Sequence, residues 1–537
     1  MTSTSAGSSA FFVFSLLTIC GLVLLLLRYY LRLRTTPSYV TVPVFLAIAL
    51  PASIIVLLPI DLASSAGADT EGARGIWLSD TVVYKSWRVI YWLTFVLTWA
   101  ILPMLGEYCD SGYREPRARV LYALRSLGRY WAIIGGAGVV GSVYLIWWNG
   151  LHLETFKSLV MALAYTWGLI LGIYLMGHGL VAFPRSLLRY ANVSERLKEY
   201  QGRAPKVHEK MTDALEKLDT YEAQVLQLRQ RKNATTREFQ EWIDELAEHG
   251  SLPESRIGVV RTSTTPTVPA IITERYLADL TRKLKRARHA KLRFTNEWNH
   301  LTQAAIRTQS ILDSKRSRHL TFPSTSPHTF LDRLLTPRTR YHLHTHLIPT
   351  LTYLTWLLTT LASTAIVWSE CVRSAPDFGG PKLSLIGWTV VSRHASARSQ
   401  IGASSQLTAA LWLSYMCICA FYSLTEATIW GNRALVRRDT YLESATWYGL
   451  QVAKLTVPLS YNFLTLTDPG IWKTTAFHRF LGKLIDLSPL GKGFSSFFPI
   501  FILVPVLATA FGLYGKVRNV CGFGDLLDDE EGEMGRW

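Results

Sequence analysis

Apolar and polar positions fall in long blocks along this chain. Nine stretches are almost wholly apolar: Phe11–Tyr30, Tyr39–Ile60, Tyr84–Leu105, Tyr130–Leu151, Leu159–Phe183, Leu347–Trp368, Leu407–Trp430, Ala445–Leu466 and Phe497–Tyr514. A hydrocarbon core of about 30 Å needs roughly 20 apolar residues in helical form. Backbone groups find no water at that depth, so each crossing must be a helix. The pattern predicts an all-α, polytopic membrane bundle of about nine spans. Residues 1–183 form a first membrane domain of five spans, and residues 347–515 a second of four. Between them lies a hydrophilic helical insert, 184–346, and after them a short acidic tail, 516–537, with its charge in Asp525 to Glu533.

The insert has its own periodicity. From Leu277 the apolar positions step through Leu280, Leu284, Ala287, Phe294, Trp298, Leu301, Ala305 and Leu312, with Lys291 and Thr308 breaking the seam. Alternating spacings of three and four are the 3.5-residue period of a coiled-coil face. A second helix precedes it, through Leu197, Met211, Leu215, Leu218 and Val225 and on to Phe239, Ile243 and Leu246. Asn192 and Glu195 have the spacing of a capping box at its start. The stretch Gly250 to Pro269, rich in Ser, Thr and Pro, reads as a turn. Together these predict an antiparallel coiled-coil hairpin, either a self-contained stalk or a docking arm for a cytosolic or membrane protein.

Charge orients the bundle. Of 537 residues 49% are hydrophobic, and the net charge of +17 sits largely in loops flanking the spans. This favours positive-inside topology and attraction to membrane lipid over nucleic-acid binding. Arg32 and Arg34, then Arg114 to Arg129, the insert, and Arg433 to Arg438 fall on one side, while the early loops opposite carry Asp69, Glu71, Asp80 and Glu154. The N-terminus is therefore expected outside or in a lumen, and the C-terminus in the cytosol. The basic loops after the sixth and eighth spans run against this, but later loops weigh less. The first span has no basic leader, so it reads as an anchor rather than a cleaved signal. The sequons at Asn192 and Asn233 are then cytosolic and unmodified.

Intramembrane charge is the remaining chemistry. Burying it is costly, so each instance marks a pair or a pathway. Asp61 ends the second span and Arg88 lies near the same end of the third, which suggests an ion pair. Glu426 lies near an inner end, and Lys454 about ten residues into the eighth span, near the midplane. Lys454 and Glu426 form a second expected pair, or line a permeation path. Phosphate loops, zinc-protease and serine-nucleophile motifs are missing, so no catalytic residue, cofactor or metal is assigned. His342, His344 and His346 alternate, and a regular helix would not bring them to one face. Six scattered cysteines form no ligand cluster.

Several phrases resemble one family. Trp87-Arg88-Val89-Ile90-Tyr91-Trp92 and the span it opens, Asp110-Ser111-Gly112-Tyr113, Gly177-His178-Gly179 at the close of the fifth span, and Leu424-Thr425-Glu426 occur in order. The chain is thereby similar to the limb-region, LMBR-like, lipocalin-receptor-related membrane proteins over nearly its whole length, and most to the LMBR domain-containing protein two branch. The tail after Val520 is shorter than in that branch. The resemblance implies nine spans, an outside N-terminus and a coiled-coil cytosolic loop. It further implies a receptor or accessory role: lipocalin uptake, lysosomal cobalamin export, or, in this branch, modulation of G-protein-coupled receptor signalling. The expected function is a non-enzymatic membrane receptor or signalling scaffold; the alternative is a transporter or channel.

Overall fold

The computed structural model describes residues 6–66, 75–149, 153–230, 239–248, 269, 271–322, 336–373, 383–391, 401–426, 433–482 and 498–513. All regular elements among them are helices. In the first half these are α1 (Ala6–Tyr30), α2 (Ser38–Ala66), α3 (Asp80–Val96), α4 (Leu102–Asp110), α5 (Pro116–Asn149) and α6 (Leu153–Ala191). A π-helical turn, Leu97–Ile101, joins α3 to α4 without a break in direction. Among the described residues, six helical stretches are long and apolar enough to cross a membrane: 6–30, 38–65, 80–110, 168–191, 337–373 and 403–426.

The insert supplies α7 (Val193–Gln230), α8 (Gln240–Glu248) and α9 (Glu274–Ser317). The second half follows as α10 (Pro337–His342), α11 (Ile348–Arg373), α12 (Leu385–Val390), α13 (Ala403–Glu426), α14 (Leu442–Thr465), α15 (Pro469–Trp472) and α16 (Leu503–Ala510). Three expected spans are not among those six: the fourth falls in α5 and runs on into residues outside the described set, and two take a different form. The 24 residues of α14 have the length of a span, but Glu443, Gln451, Lys454 and Asn462 interrupt its apolar character. The last segment is a 3-10 turn, Phe498–Ile502, followed by the eight residues of α16, short of a full crossing.

The core lies between α2, α6, α13 and α14, where Leu57, Leu58, Met176, Leu180, Met416, Leu459 and Phe463 are fully buried. Outward faces, such as Phe14 and Leu25 of α1 or Leu351 and Leu358 of α11, are exposed as lipid-facing positions require. Close backbone approach fixes α6 in place. A Cβ at Gly179 would lie 2.0 Å from the Cys419 carbonyl oxygen of α13, and one at Gly177 would lie 2.7 Å from Pro505 of α16. Only a residue without a side chain permits these contacts.

In the insert, α7 and α9 pack along each other as an antiparallel pair. Arg203 faces Glu297 toward the start of α7, His208 meets the Trp298 ring at 5.2 Å, and Glu222 faces Arg288 toward the end of α7. Leu277, Leu280, Leu284, Phe294 and Leu301 are buried along the expected seam, while Trp298 and Leu312 are half-buried. Thr308 and Ile311 are buried instead. A straight helix drifts from a strict 3.5-residue repeat, and the Thr308 hydroxyl donates to the Ala304 carbonyl, so its burial leaves no unmet donor. Phe239, Ile243 and Leu246 do not extend α7; Ile243 and Leu246 belong to the separate α8, which packs with Leu218, Val225 and Leu284. Asn192 accepts from the N–H groups of Ser194 and Glu195, but Glu195 turns to Lys198, so only half of the capping box forms. The turn expected at Gly250 to Pro269 lies outside the described residues except for Pro269, as do the sequon at Asn233 and the acidic tail.

Candidate functional site

The arm meets the membrane helices at a polar junction built from both halves of the chain. Asp110 ends α4 and is 5% exposed. Arg286 of α9 grips it with two hydrogen bonds, Nε to Oδ1 at 2.9 Å and Nη2 to Oδ2 at 2.6 Å. Such a fork is both directional and charge-assisted. The hydroxyl of Tyr441, just before α14, reaches Asp110 at 3.4 Å. Two residues beyond Asp110, a Cβ at Gly112 would lie 1.7 Å from the carbonyl oxygen of Ala278. The backbone of the α4–α5 turn therefore lies directly against α9, and glycine is what allows it. Arg282 adds a hydrogen bond to Tyr122 of α5 at 2.9 Å.

His289, one turn after Arg286, secures the other half. Its Nε2 lies 3.0 Å from the Tyr441 N–H and 3.1 Å from the Asp439 carbonyl oxygen. Unprotonated, that nitrogen accepts from Tyr441; protonated, it donates to Asp439. Burial, aided by Arg293, pulls the imidazole below its ordinary value, with Asp439 opposing. The Asp439 carboxylate binds Arg32, after α1, at 2.8 Å. One helix of the insert thus touches the α1–α2 loop indirectly and α4, α5 and the start of α14 directly. Within the basic cluster Arg282 to Lys291, Arg282 and Arg286 make the attachment to the membrane helices and others pair within the insert. Arg282 and Lys283 share Asp279, Arg286 holds Asp110, and Arg288 reaches the buried Glu222 and the Leu246 carbonyl.

A second polar cluster joins α6, α13 and α16. His178 Nδ1 is 2.8 Å from Thr509 Oγ1, and its Nε2 is 3.3 Å from Glu426. Tyr422 donates to the other Glu426 oxygen at 2.7 Å. Arg185 donates to the carbonyls of Thr509 and Ala510 at the end of α16, where the negative end of the helix dipole attracts a cation. The glycines flanking His178 bring these helices close enough for its ring to bridge them.

At the opposite end of the bundle, Asp61 is 1% exposed and fully engaged. Its carboxylate accepts from the N–H groups of Ala476 and Phe477 and from Trp87 Nε1, each at 2.9 Å. The Trp87 ring packs on Phe477 at 4.9 Å. Arg479 pairs with Asp80 nearby.

The ion pairs expected from sequence do not form. Arg88 is exposed, because helical phase turns Trp87 inward and its neighbour out. Glu426 is occupied by His178 and Tyr422, and Lys454 makes no hydrogen bond or ion pair among the described residues. Sequence reasoning missed Asp110, Arg286, His289 and Tyr441 as one constellation, although Asp110-Ser111-Gly112-Tyr113 had signalled itself as a phrase. The histidines also differ from expectation. A π-helical turn at Leu343–Leu347 stacks His342 on His346, ring centroids 5.9 Å apart, while His344 turns to Phe322. No group of His, Cys, Asp and Glu suited to a metal occurs among the described residues.

Long apolar helices, a hydrophilic arm and two polar junctions at helix ends define a multi-pass integral membrane protein. The chain belongs to the LMBR1-like membrane protein family, whose model matches residues 8–514. It is 25% identical to the G-protein coupled receptor-associated protein LMBRD2 of Xenopus laevis over 83% of this chain and 64% of that one. The human protein of that name is also 25% identical, over 85% of this chain and 67% of the relative. LMBR1 domain-containing protein 2 homolog B of Dictyostelium discoideum is 24% identical, over 97% and 68%. The chain therefore spans about two thirds of the length of these relatives. No solved structure matches.

Proposed function

We propose that this protein is a non-enzymatic membrane scaffold that associates with G-protein-coupled receptors and modulates their signalling. The N-terminus lies outside or in a lumen, and α7, α8 and α9 lie on the cytosolic side, held against the membrane helices, as a partner-docking coiled coil. The observation that carries this reading is the clamp of α9 on both membrane halves through Asp110, Tyr441 and Asp439. An arm so anchored can transmit the state of the bundle to whatever it binds. The relatives' printed association with receptors supports the choice of partner. The test is co-purification of a tagged receptor with the full chain from cells, alongside a variant lacking residues 192–318. Wild-type protein should retain the receptor, and deletion should remove cytosolic partners while the protein stays membrane-inserted. Absence of receptor from the wild-type sample would sink the reading.

The alternative, a transporter or channel, has one observation in its favour: the mid-span cation of Lys454, which makes no hydrogen bond or ion pair among the described residues. Solute flux into reconstituted vesicles that changes on Lys454→Gln, with partner binding retained, supports transport.

A further inference from the structure

The end of α1 and the loop before α14 come from opposite halves of the chain and are stitched together in space. The Arg438 N–H donates to the Tyr29 carbonyl at 3.0 Å, and the Thr440 N–H to the Tyr30 carbonyl at 3.3 Å. The loop is also fixed from within. The Thr440 hydroxyl donates to the Val436 carbonyl at 2.6 Å and accepts from the Val436 N–H at 3.1 Å, and Val436 is buried. Arg438 holds a φ of 63°, a left-handed backbone that few residues with a side chain adopt. After α1, the N–H groups of Thr35 and Thr36 both donate to the Arg32 carbonyl at 2.9 Å, closing the turn that carries Arg34.

These two pinned segments gather five exposed arginines: Arg28, Arg32 and Arg34 from the first, Arg437 and Arg438 from the second. One carboxylate answers them, that of Asp439, which holds Arg32. Arg437 lies over the Tyr29 ring, 5.1 Å from its centroid. Among the described residues the side chains of Arg28, Arg34 and Arg438 make no hydrogen bond and no ion pair. Positive-inside bias needs only solvated charge along one loop. Here two segments are bonded into a single cationic surface.

Depth says what that surface meets. Just below Arg28, Leu24, Leu25 and Leu26 are 47%, 63% and 46% exposed, and Tyr29 above them is 49% exposed. That is the pattern of a helix leaving hydrocarbon for the headgroup layer, where basic side chains meet lipid phosphate. A phosphate monoester carries a charge of about −1.5 to −2 near pH 7. A head bearing two of them matches the guanidinium groups that Asp439 leaves uncompensated, and the forked guanidinium suits phosphate oxygens in pairs.

The geometry points to this surface as the binding site of a polyphosphorylated inositol lipid, with Arg28, Arg34, Arg437 and Arg438 on its phosphates and its acyl chains along α1. The exposed leucines continue the site into hydrocarbon, which selects a lipid over a soluble phosphate. This goes beyond receptor association and does not depend on it; only the leaflet, the cytosolic one, rests on the orientation proposed above. The site adjoins the clamp, since the carbonyl of the same Asp439 meets His289 of α9.

The test is native mass spectrometry of the purified full chain in neutral detergent micelles, with dioleoyl phosphatidylinositol bisphosphate, phosphatidylserine or phosphatidylcholine added. The bisphosphate lipid should be retained under conditions that shed the other two. Arg437→Gln with Arg438→Gln should weaken retention about tenfold or more, and so should Arg28→Gln with Arg34→Gln. All four side chains are exposed, so Tm and elution volume should match wild type, which separates lost binding from lost folding. Arg117→Gln with Arg125→Gln, at exposed positions of α5, should leave retention unchanged. Equal retention of phosphatidylserine, or an equal loss from the α5 pair, would reduce the effect to general attraction and overturn the proposal. Displacement by equimolar inositol trisphosphate would overturn it by assigning the surface to a soluble anion. Retention that begins only once residues 521–537 are removed would assign the surface to the chain's own acidic tail, and would overturn it equally. A micelle has no sides, so a wrong orientation and a wrong site are told apart.

Discussion

At the scale of single residues, the junction rests on three positions with different physics. Asp110 holds Arg286 in a bidentate pair, but Arg286 is itself more than half exposed, so solvent screens the loss of its partner. Asp110→Ala should weaken docking of α9 by about 1–2 kcal/mol, seen as faster hydrogen exchange across Leu280 to Ala290 with the spans unaffected. Gly112 acts through space rather than charge. Gly112→Ala puts a methyl onto the Ala278 carbonyl, and the strain should cost about 1–3 kcal/mol, read as a lower Tm of the purified protein. His289 adds a pH response. Its folded value lies below the unfolded 6.5, so the unfolded or undocked state takes up the proton first. The contribution of the neutral ring is complete above 6.5 and is lost as pH falls through the folded value. Protonation also deprives the Tyr441 N–H of its acceptor. The groups facing the ring are Arg293, Asp439 and Tyr441. Tm should fall on acidification from about pH 7.5 to about pH 5.5, and His289→Gln should flatten that slope.

At the scale of elements, helix formation was legible wherever apolar runs reached bilayer length, because lipid leaves the backbone no alternative. The limits of that rule show in the last apolar run, where a 3-10 turn leaves α16 only eight residues, and in α5, which begins well before Tyr130 among charged residues that no hydropathy window includes. Residue pairings were far less legible. Asp61 and Arg88 invite one another by charge and depth, yet backbone N–H groups near α15 satisfy the carboxylate, and an unpaired N–H carries no mark in sequence. Asp61→Ala should leave the N–H groups of Ala476 and Phe477 without acceptors, costing about 1–3 kcal/mol for each. Loss of monodisperse protein in size-exclusion chromatography would check this, and unchanged thermal stability would refute it. Glu426 tells the same lesson: the glycines flanking His178 bring the helices close, and its ring then bridges α13 and α16.

For the whole molecule, charge bias and structure agree on which loops share a face. Arg32, Asp110, the α4–α5 turn, Asp439 and the first half of α9 gather at one end, whereas Asp61, Asp80 and Arg479 gather at the other. Cysteine labelling in sealed cells should modify a residue placed before α1 from outside and one placed at Arg318 only after permeabilisation. Labelling of both from outside would reverse the proposed orientation. The arm also has a topological consequence. Its outgoing strut, α7, belongs to the polypeptide's first half, and its return strut, α9, to the second, yet α9 clasps the first half through Asp110 and Gly112. A protease site introduced between residues 249 and 268 should therefore yield two fragments that remain interlocked, migrating together until detergent or heat unzips them.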